Sequence, residues 1–105
     1  ESGASVGATT GIGSTPLFIA CHEGQRDCVR LLLGASAAVN QAKKDGATPL
    51  FMACQQGQLE CVRLLLGANA DADQAKDDGA TPLFIACETG QLECVRLLLG
   101  ANADA

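Results

Sequence analysis

Six cysteines are the residues of this 105-residue chain with the greatest capacity for chemistry. They form three Cys-x6-Cys pairs at equal intervals: Cys21, Cys28, Cys54, Cys61, Cys87 and Cys94. Zinc sites typically use Cys-x2-Cys or a close relative, so this wider spacing predicts no metal site. Disulfide scaffolds compensate for a thin core, whereas each cysteine here lies in an apolar run. We interpret the thiols as buried and reduced, and a redox role, in which the paired thiols of one unit cross-link, stays open.

A catalytic pair of Cys21 and His22 is the simplest enzymatic interpretation of the sequence. Neighbouring residues on a helix point about 100° apart, which is poor geometry for proton transfer between them. The equivalent cysteines 33 and 66 residues later, Cys54 and Cys87, are followed by Gln55 and Glu88 instead of histidine, so such a site would not repeat. No glycine is followed by the Lys-Ser/Thr of a phosphate loop. The sequence therefore predicts a protein that is not an enzyme and has no cofactor.

The composition limits which binding partners and which cellular location we expect for the protein. Apolar residues make up 48% of the chain, aromatic residues 3%, and the net charge is -5. An acidic chain repels phosphate, so nucleic acid and anionic membranes are excluded as expected partners. No apolar run approaches the about 18 residues of a membrane span, and no signal peptide opens the sequence. We expect the protein in the cytoplasm or nucleus.

The regular cysteines belong to an internal repeat of 33 residues. Thr15, Thr48 and Thr81 each begin the string Thr-Pro-Leu-Phe, and residues 48–72 differ from residues 81–105 at only three of 25 positions. A period of this length predicts a solenoid, in which each unit contacts mainly its neighbours. We divide the chain into a flexible Gly/Ser-rich lead-in and three units, of which the third is cut short: residues 1–12, 13–45, 46–78 and 79–105.

Each unit has the local signals of a turn followed by two helices. Glycine suits a positive φ in the turn, threonine caps the first helix, and proline fits its first turn. The residues with these structural roles are Thr15, Pro16, Gly46, Thr48, Pro49, Gly79, Thr81 and Pro82. The first helix is apolar almost all round, and the second is predicted over about residues 59–66 of the middle unit. Glu60 and Arg63 are spaced to pair on its polar face.

The repeated strings resemble the ankyrin repeat family. They are Gly46-Ala-Thr-Pro-Leu-Phe-Met-Ala-Cys and Gly57-Gln-Leu-Glu-Cys-Val-Arg-Leu-Leu-Leu, and the resemblance covers residues 13–105. It implies an all-α solenoid of helix-turn-helix units with β-hairpin or loop connections. It also implies turns that project as fingers beside a concave face lined by the first helices.

The sequence departs from the family pattern at three sets of positions. The family usually has a histidine, which links neighbouring turns by hydrogen bonds, at the positions of Phe18, Phe51 and Phe84. It usually has glycine after the second helix, at the positions of Ser36, Asn69 and Asn102. It usually has a second alanine at the positions of Cys21, Cys54 and Cys87. We expect apolar contact to replace the histidine hydrogen bonds, and the stack to accommodate the thiols because every unit makes the same change.

The resemblance implies a non-catalytic module that binds a protein partner through its concave face and fingers. The copies differ mainly at the end of the first helix and in the turn, and these differences select the candidate contact residues. They are Lys44, Asp45, Ala47, Gln55, Gln56, Asp77, Asp78, Ala80, Glu88 and Thr89. The acidic, weakly aromatic character of this set predicts a basic partner.

The near-identity of the repeats and the ends of the array each lead to a further interpretation. Near-identity of the second and third units is also typical of an engineered or consensus-like scaffold with no native partner. Terminal repeats usually carry polar outer faces, but the last unit presents Leu92, Val95, Leu98 and Leu99 without such a cover. We therefore expect end-to-end self-association, unless the chain is part of a longer array.

Overall fold

The computed structural model describes residue 7 and residues 9–101, which form a stack of three helix pairs. The helices are α1 (Pro16–Glu23), α2 (Arg26–Gly34), α3 (Pro49–Gln55), α4 (Leu59–Gly67), α5 (Pro82–Glu88) and α6 (Leu92–Gly100). The described part of the chain contains no β-strand. The predicted all-α solenoid is confirmed. The predicted lead-in falls largely on residues 1–6 and 8, which lie outside the described residues.

The helices are arranged in two layers that run the length of the stack. The first helices α1, α3 and α5 pack on one another in order, and the second helices α2, α4 and α6 do the same. The stack measures 42 × 26 × 20 Å. The middle repeat is therefore covered on both sides, whereas the first and third repeats each have an end face.

Each first helix begins with the cap that the sequence predicts. The hydroxyl oxygens of Thr15, Thr48 and Thr81 accept hydrogen bonds of 3.1 Å from backbone amides three residues on. A proline occupies the first turn of each of these helices, where an amide would have no partner inside the helix. Local sequence alone therefore fixes where α1, α3 and α5 begin.

Residues in the left-handed region follow both helices of a repeat. Gly57, after α3, has φ +68°, and the amide of Gln58 donates to the carbonyl of Ala53 at 2.8 Å. This is the hydrogen bond of a Schellman motif, which ends a helix. After the second helices, Ser36 and Asn69 both have φ +66°. They adopt the conformation for which the family normally uses glycine, and Asn102 lies outside the described residues.

The turns before the first helices are compact and contact one another. In the turn before α3, the amide of Lys43 donates to the carbonyl of Ala47 at 2.9 Å, and Gly46 has φ +89°. The next turn repeats this geometry, with φ +90° at Gly79. The amide of Lys44 donates to the carbonyl of Ile12 in the preceding turn at 3.0 Å. Neighbouring turns are therefore linked through their backbones.

Lysine–phenylalanine contacts occupy the place of the family's histidines. The ammonium groups of Lys43 and Lys76 lie 5.2 Å from the ring centroids of Phe18 and Phe51. Both rings are 3% exposed. The replacement is thus a cation–π contact together with the expected apolar burial. Each contact joins a first helix to the turn that precedes the next first helix.

The prediction that every thiol is buried is wrong for two of the six cysteines. Cys28 and Cys87 are exposed, whereas their counterparts in the other repeats are buried. Cys28 lies on the N-terminal end face and Cys87 on the C-terminal one, where no repeat among the described residues covers them. The thiol pairs also differ from the expected ones. Cys21 interacts with Cys61 and Cys54 with Cys94, so each pair joins neighbouring repeats.

Of the apolar residues predicted to be uncovered in the last repeat, only some are exposed. Leu92 is 60% exposed and Leu99 is 53% exposed. Leu98, in contrast, is fully buried, and Val95 is half-buried. The apolar face of α6 is divided, because one side packs on α4 and the other is the outer side of the last repeat.

Candidate protein-binding surface

Three aspartates come together in the turns that precede α3 and α5. Asp45, Asp77 and Asp78 are all exposed, and we call them the acidic turn cluster. The amide of Asp77 donates to the carbonyl of Asp45 at 2.9 Å, so the two turns lie side by side. Lys44 is exposed next to this cluster. The structure therefore brings four of the predicted contact residues into one continuous surface.

Two of these carboxylates also shape the turns from which they project. Asp45 Oδ1 accepts from the amide of Ala47 at 3.0 Å, and Asp78 Oδ1 accepts from the amide of Ala80 at 3.0 Å. Such Asx hydrogen bonds hold the chain in the turn conformation. The second oxygen of each carboxylate lies within 4.0 Å of the Lys76 ammonium.

Lys76 is a member of this surface that the sequence analysis did not select. Its ammonium lies 4.0 Å from Asp45 Oδ2 and 3.8 Å from Asp78 Oδ2, above the ring of Phe51. It offsets part of the negative charge and joins two turns. The signal in the sequence was the 33-residue spacing of Lys43 and Lys76, which follows the spacing of the phenylalanines beneath them.

The remaining polar candidates lie at the opposite ends of the first helices. Gln56, Glu88 and Thr89 are exposed, and Gln55 is half-buried. The hydroxyl of Thr89 donates to the carbonyl of Ile85 at 2.7 Å, which directs it toward the helix end. Seven helical residues separate these positions from the turns, a distance of about 10 Å. The candidates therefore form two patches at the two ends of α3 and α5.

Ala47 is a wrong choice among the predicted contact residues. Its side chain is 2% exposed and belongs to the hydrophobic core, so it offers no area to a partner. Ala80, its counterpart in the last repeat, is half-buried. The alanines at these positions therefore contribute to packing under the turns.

Cys21 and His22 lie in different surroundings. His22 Nδ1 lies 2.8 Å from Glu23 Oε2 on the surface, whereas Cys21 is fully buried. Burial raises the pKa of the Cys21 thiol well above its usual range, and the nearby Cys61 adds to this shift. Among residues 9–101, no group of three His, Cys, Asp or Glu side chains could hold a metal ion. Every helix in this part of the chain lacks the length and apolar character needed to cross a bilayer.

A concavity among the described residues lies away from both patches. It is a groove of about 700 Å³ on the N-terminal end face, and its lining includes Ile19, Cys28 and Leu31. Its walls are mainly apolar, and its position corresponds to the side on which a preceding repeat would pack. The groove and the acidic turn cluster therefore differ in chemistry.

Comparison with protein families agrees with this architecture over nearly the whole chain. A family model described as ankyrin repeats (3 copies) matches residues 2–76, and a second, described as ankyrin repeat, matches residues 78–105. The chain belongs to the ankyrin repeat family. A search of curated proteins found no match.

Membership of the ankyrin repeat family indicates the general role of the chain. Ankyrin repeats are generally protein–protein interaction modules, and the family is generally non-catalytic. Both patches of this ankyrin-repeat chain belong to the turns and first helices. In contrast, the ion pairs Asp27–Arg30, Glu60–Arg63 and Glu93–Arg96 lie on the second helices and are exposed. Exposed pairs of this kind contribute little to stability.

Proposed function

We propose that this chain binds a basic segment of a protein partner through the acidic turn cluster and the ends of α3 and α5. The observation that carries the proposal is the backbone hydrogen bond from Asp77 to Asp45. It aligns successive turns, so that three exposed carboxylates occupy one surface. Lys76 and the exposed Lys44 offset part of their charge. Lysine or arginine side chains of a partner would complement the remainder.

The charges near the first helices come from individual side chains rather than from one strongly acidic region. The two turns hold three lysines beside their three aspartates, and on the second helices Arg30, Arg63 and Arg96 lie next to acidic residues. Glu88 adds an exposed negative charge at the end of α5. A basic partner would be attracted to the individual carboxylates of the turns and to Glu88, and the attraction would weaken with added salt.

The test is a charge-changing variant with a matched control. We use Asp77→Lys combined with Asp78→Asn, because an asparagine oxygen can still accept from the amide of Ala80. The control, Glu60→Lys combined with Glu93→Gln, changes the net charge equally on the second helices. Binding of synthetic lysine- and arginine-rich peptides is measured by fluorescence anisotropy at two salt concentrations. We expect the turn variant to bind about tenfold more weakly and the control to bind nearly as well as the parent.

Equal losses in the two variants would contradict the proposed surface. They would mean that the peptides respond to total charge rather than to the acidic turn cluster. Circular dichroism of both variants checks that the helices are retained. No binding of any basic peptide by the parent chain would contradict the basic partner itself.

Two alternative functions each have an observation in their favour. Residues 48–72 and 81–105 differ at only three of 25 positions, which favours a consensus-like or engineered scaffold without a native partner. The contacts Cys21–Cys61 and Cys54–Cys94 favour a redox-responsive element. In that case peroxide would accept two electrons and two protons from one thiol pair, giving a disulfide and water. Burial of Cys21 and Cys54 opposes this, because thiolates rather than thiols are the reactive species.

End-to-end self-association and an intracellular location are also proposed. Exposed apolar side chains at both ends of the stack support self-association: Ile19, Leu31, Phe84 and Leu92. The free thiols of the described residues support the cytoplasm or nucleus, because reducing compartments keep cysteines in this form.

A further inference from the structure

Two neighbouring segments of the chain are nearly identical in sequence, so their few differences are informative. Residues 43–72, which contain α3 and α4, differ from residues 76–105, which contain α5 and α6, at four of 30 positions. Two of these four differences change the charge. They are Lys44, which corresponds to Asp77, and Gln55, which corresponds to Glu88. Both make the segment around α5 more negative than the segment around α3.

The differences in charge are confined to the turns and first helices. Lys44 and Asp77 lie in the turns that precede α3 and α5. Gln55 and Glu88 are the last residues of these two helices. The second helices α4 and α6 have the same sequence and therefore the same charge. Charge thus changes along the two candidate patches and not along the layer of second helices.

The backbone holds Lys44 and Asp77 in equivalent positions. The amide of Lys44 donates to the carbonyl of Ile12 at 3.0 Å. The amide of Asp77 donates to the carbonyl of Asp45 at 2.9 Å. Both side chains are exposed. Since packed helices lie about 8–10 Å apart, the two side chains present opposite charges at a similar separation on one surface.

Other charges in these turns are offset by contacts within the molecule. The ammonium of Lys76 lies 4.0 Å from Asp45 Oδ2 and 3.8 Å from Asp78 Oδ2. Lys44 and Asp77, in contrast, take part in no ion pair among the described residues. Their opposite charges are therefore the ones that a partner can complement most directly.

The exposure of these positions does not depend on where a repeat lies in the stack. Lys44 is exposed although the turn of Asp77 packs beside its own turn. At the helix ends, His22 and Gln55 are half-buried in the repeats that are followed by another. The position of Glu88 therefore reaches solvent in every repeat, with or without a neighbour.

We propose that the partner segment carries charges of both signs and that their order sets the direction in which it binds. Its lysine or arginine residues lie at Asp77, on the side of Glu88, and a carboxylate of the segment lies at Lys44. An extended chain advances about 3.3 Å per residue, so the two kinds of charge are about three residues apart. The inference rests on the proposed binding of a basic segment and adds its orientation.

Reversing the segment would place like charges together. Its basic residues would then lie at Lys44, and its carboxylate would lie at Asp77. An exposed ion pair changes affinity by about two- to fivefold, so losing both attractions and adding both repulsions should weaken binding about tenfold or more. Opposite charges in neighbouring turns thus select one of two orientations, which a uniformly acidic surface would not do.

Fluorescence anisotropy with two labelled peptides tests the role of Lys44. The first peptide has two lysines at one end and a glutamate about three residues away, and the second has glutamine in place of the glutamate. Lys44→Gln should weaken binding of the first peptide about two- to fivefold and should not weaken binding of the second. The control Arg63→Gln removes an equal charge from α4 and should weaken neither. Unchanged or stronger binding of the first peptide to Lys44→Gln would overturn the proposed order of charges.

Nuclear magnetic resonance tests the orientation directly. A nitroxide is attached through a thioether at the lysine end of the first peptide, and broadening of the amide signals of Gly46 and Gly79 reports on the two turns. In the parent chain the signal of Gly79 should broaden more than that of Gly46. The double variant Lys44→Asp, Asp77→Lys keeps the net charge and the backbone hydrogen bonds between the turns. In this variant the preference should reverse.

The possible failures are distinguishable. Equal broadening of the two glycines, or the same preference in the double variant, would overturn the orientation while leaving the proposed surface standing. Broadening restricted to amides of the second helices would overturn both the surface and the orientation. No binding of either peptide by the parent chain would contradict the proposed function itself. Amide spectra without peptide check that every variant keeps the parent fold.

Discussion

At the scale of single residues, identical side chains acquire different properties according to what covers them. Cys54 is fully buried and Cys87, 33 residues later, is exposed. Burial raises the pKa of Cys21 and also, as the largest cause, that of its neighbour Cys61. In the second pair, the hydrogen bond with Cys94 raises the pKa of Cys54 and lowers that of Cys94. Only in the first pair, Cys21 and Cys61, are the pKa values of both thiols raised.

Alkaline pH should destabilise the fold through Cys21 and Cys61. Above the ordinary thiol pKa of 9.0, the unfolded chain loses protons that the native chain retains. The stability that these thiols contribute is complete below that pH and decreases as the pH rises above it. The maximum slope is about 1.4 kcal/mol per pH unit for each thiol. Urea denaturation with a reductant at several pH values should show a shallower slope for Cys21→Ala. Cys28→Ala should keep the parent slope, and equal slopes for all three chains would contradict the assignment.

At the scale of elements, the turn is the unit that joins one repeat to the next. Gly46 and Gly79 share the same backbone conformation, with φ +89° and +90°. Their surroundings differ, because an added Cβ at Gly46 would lie 2.8 Å from the amide nitrogen of Asp77. At Gly79 the same atom would meet nothing within 4 Å. The two positions therefore separate backbone strain from contact between turns.

Gly79→Ala and Gly46→Ala form a matched pair of variants. Gly79→Ala should cost about 1–2 kcal/mol of unfolding free energy, because alanine is strained at this φ. Gly46→Ala adds a clash with backbone that no side-chain rotation relieves, and should cost at least about 1 kcal/mol more. Chemical denaturation of both variants measures the difference. Equal losses would show that the turns do not need their close approach.

At the scale of the whole molecule, stability is greatest where a repeat has two neighbours. The described core centres on the middle repeat, where Leu50, Val62 and Leu65 are 1% exposed or less. The first and third repeats each pack on one neighbour only among the described residues. In such a quasi-one-dimensional stack, each unit is stabilised mainly by its own folding and its nearest interfaces.

Hydrogen exchange should therefore be slowest in α3 and α4. Opening the middle repeat disrupts two interfaces, whereas opening an end repeat disrupts one, so the ends exchange through smaller openings. Mass spectrometry of peptides from dilute protein, where association is minimal, should rank the middle helices as the most protected. Protection that is equal or greater in α1 or α6 would contradict this picture. In concentrated protein the proposed association should slow exchange in the end repeats.

The helices, caps and turns of each repeat could be predicted from the amino-acid order. A threonine hydroxyl bonds an amide three residues away, and a glycine or asparagine adopts a left-handed φ, through interactions of short range. Much of the acidic turn cluster was predictable for the same reason, since its aspartates lie in the turns. These features are complete within one repeat, and each copy shows them again.

Exposure, in contrast, depended on the stacking of the repeats. Ala47 is buried, and Lys76 lies over Phe51. Cys28 and Cys87 are exposed, although the equivalent cysteines of the other repeats, which have the same neighbouring sequence pattern, are buried. The sequence of a repeat does not indicate whether that copy has a neighbouring repeat on both sides. Burial is the area that another segment removes from water, so only the arrangement of all three repeats determines it.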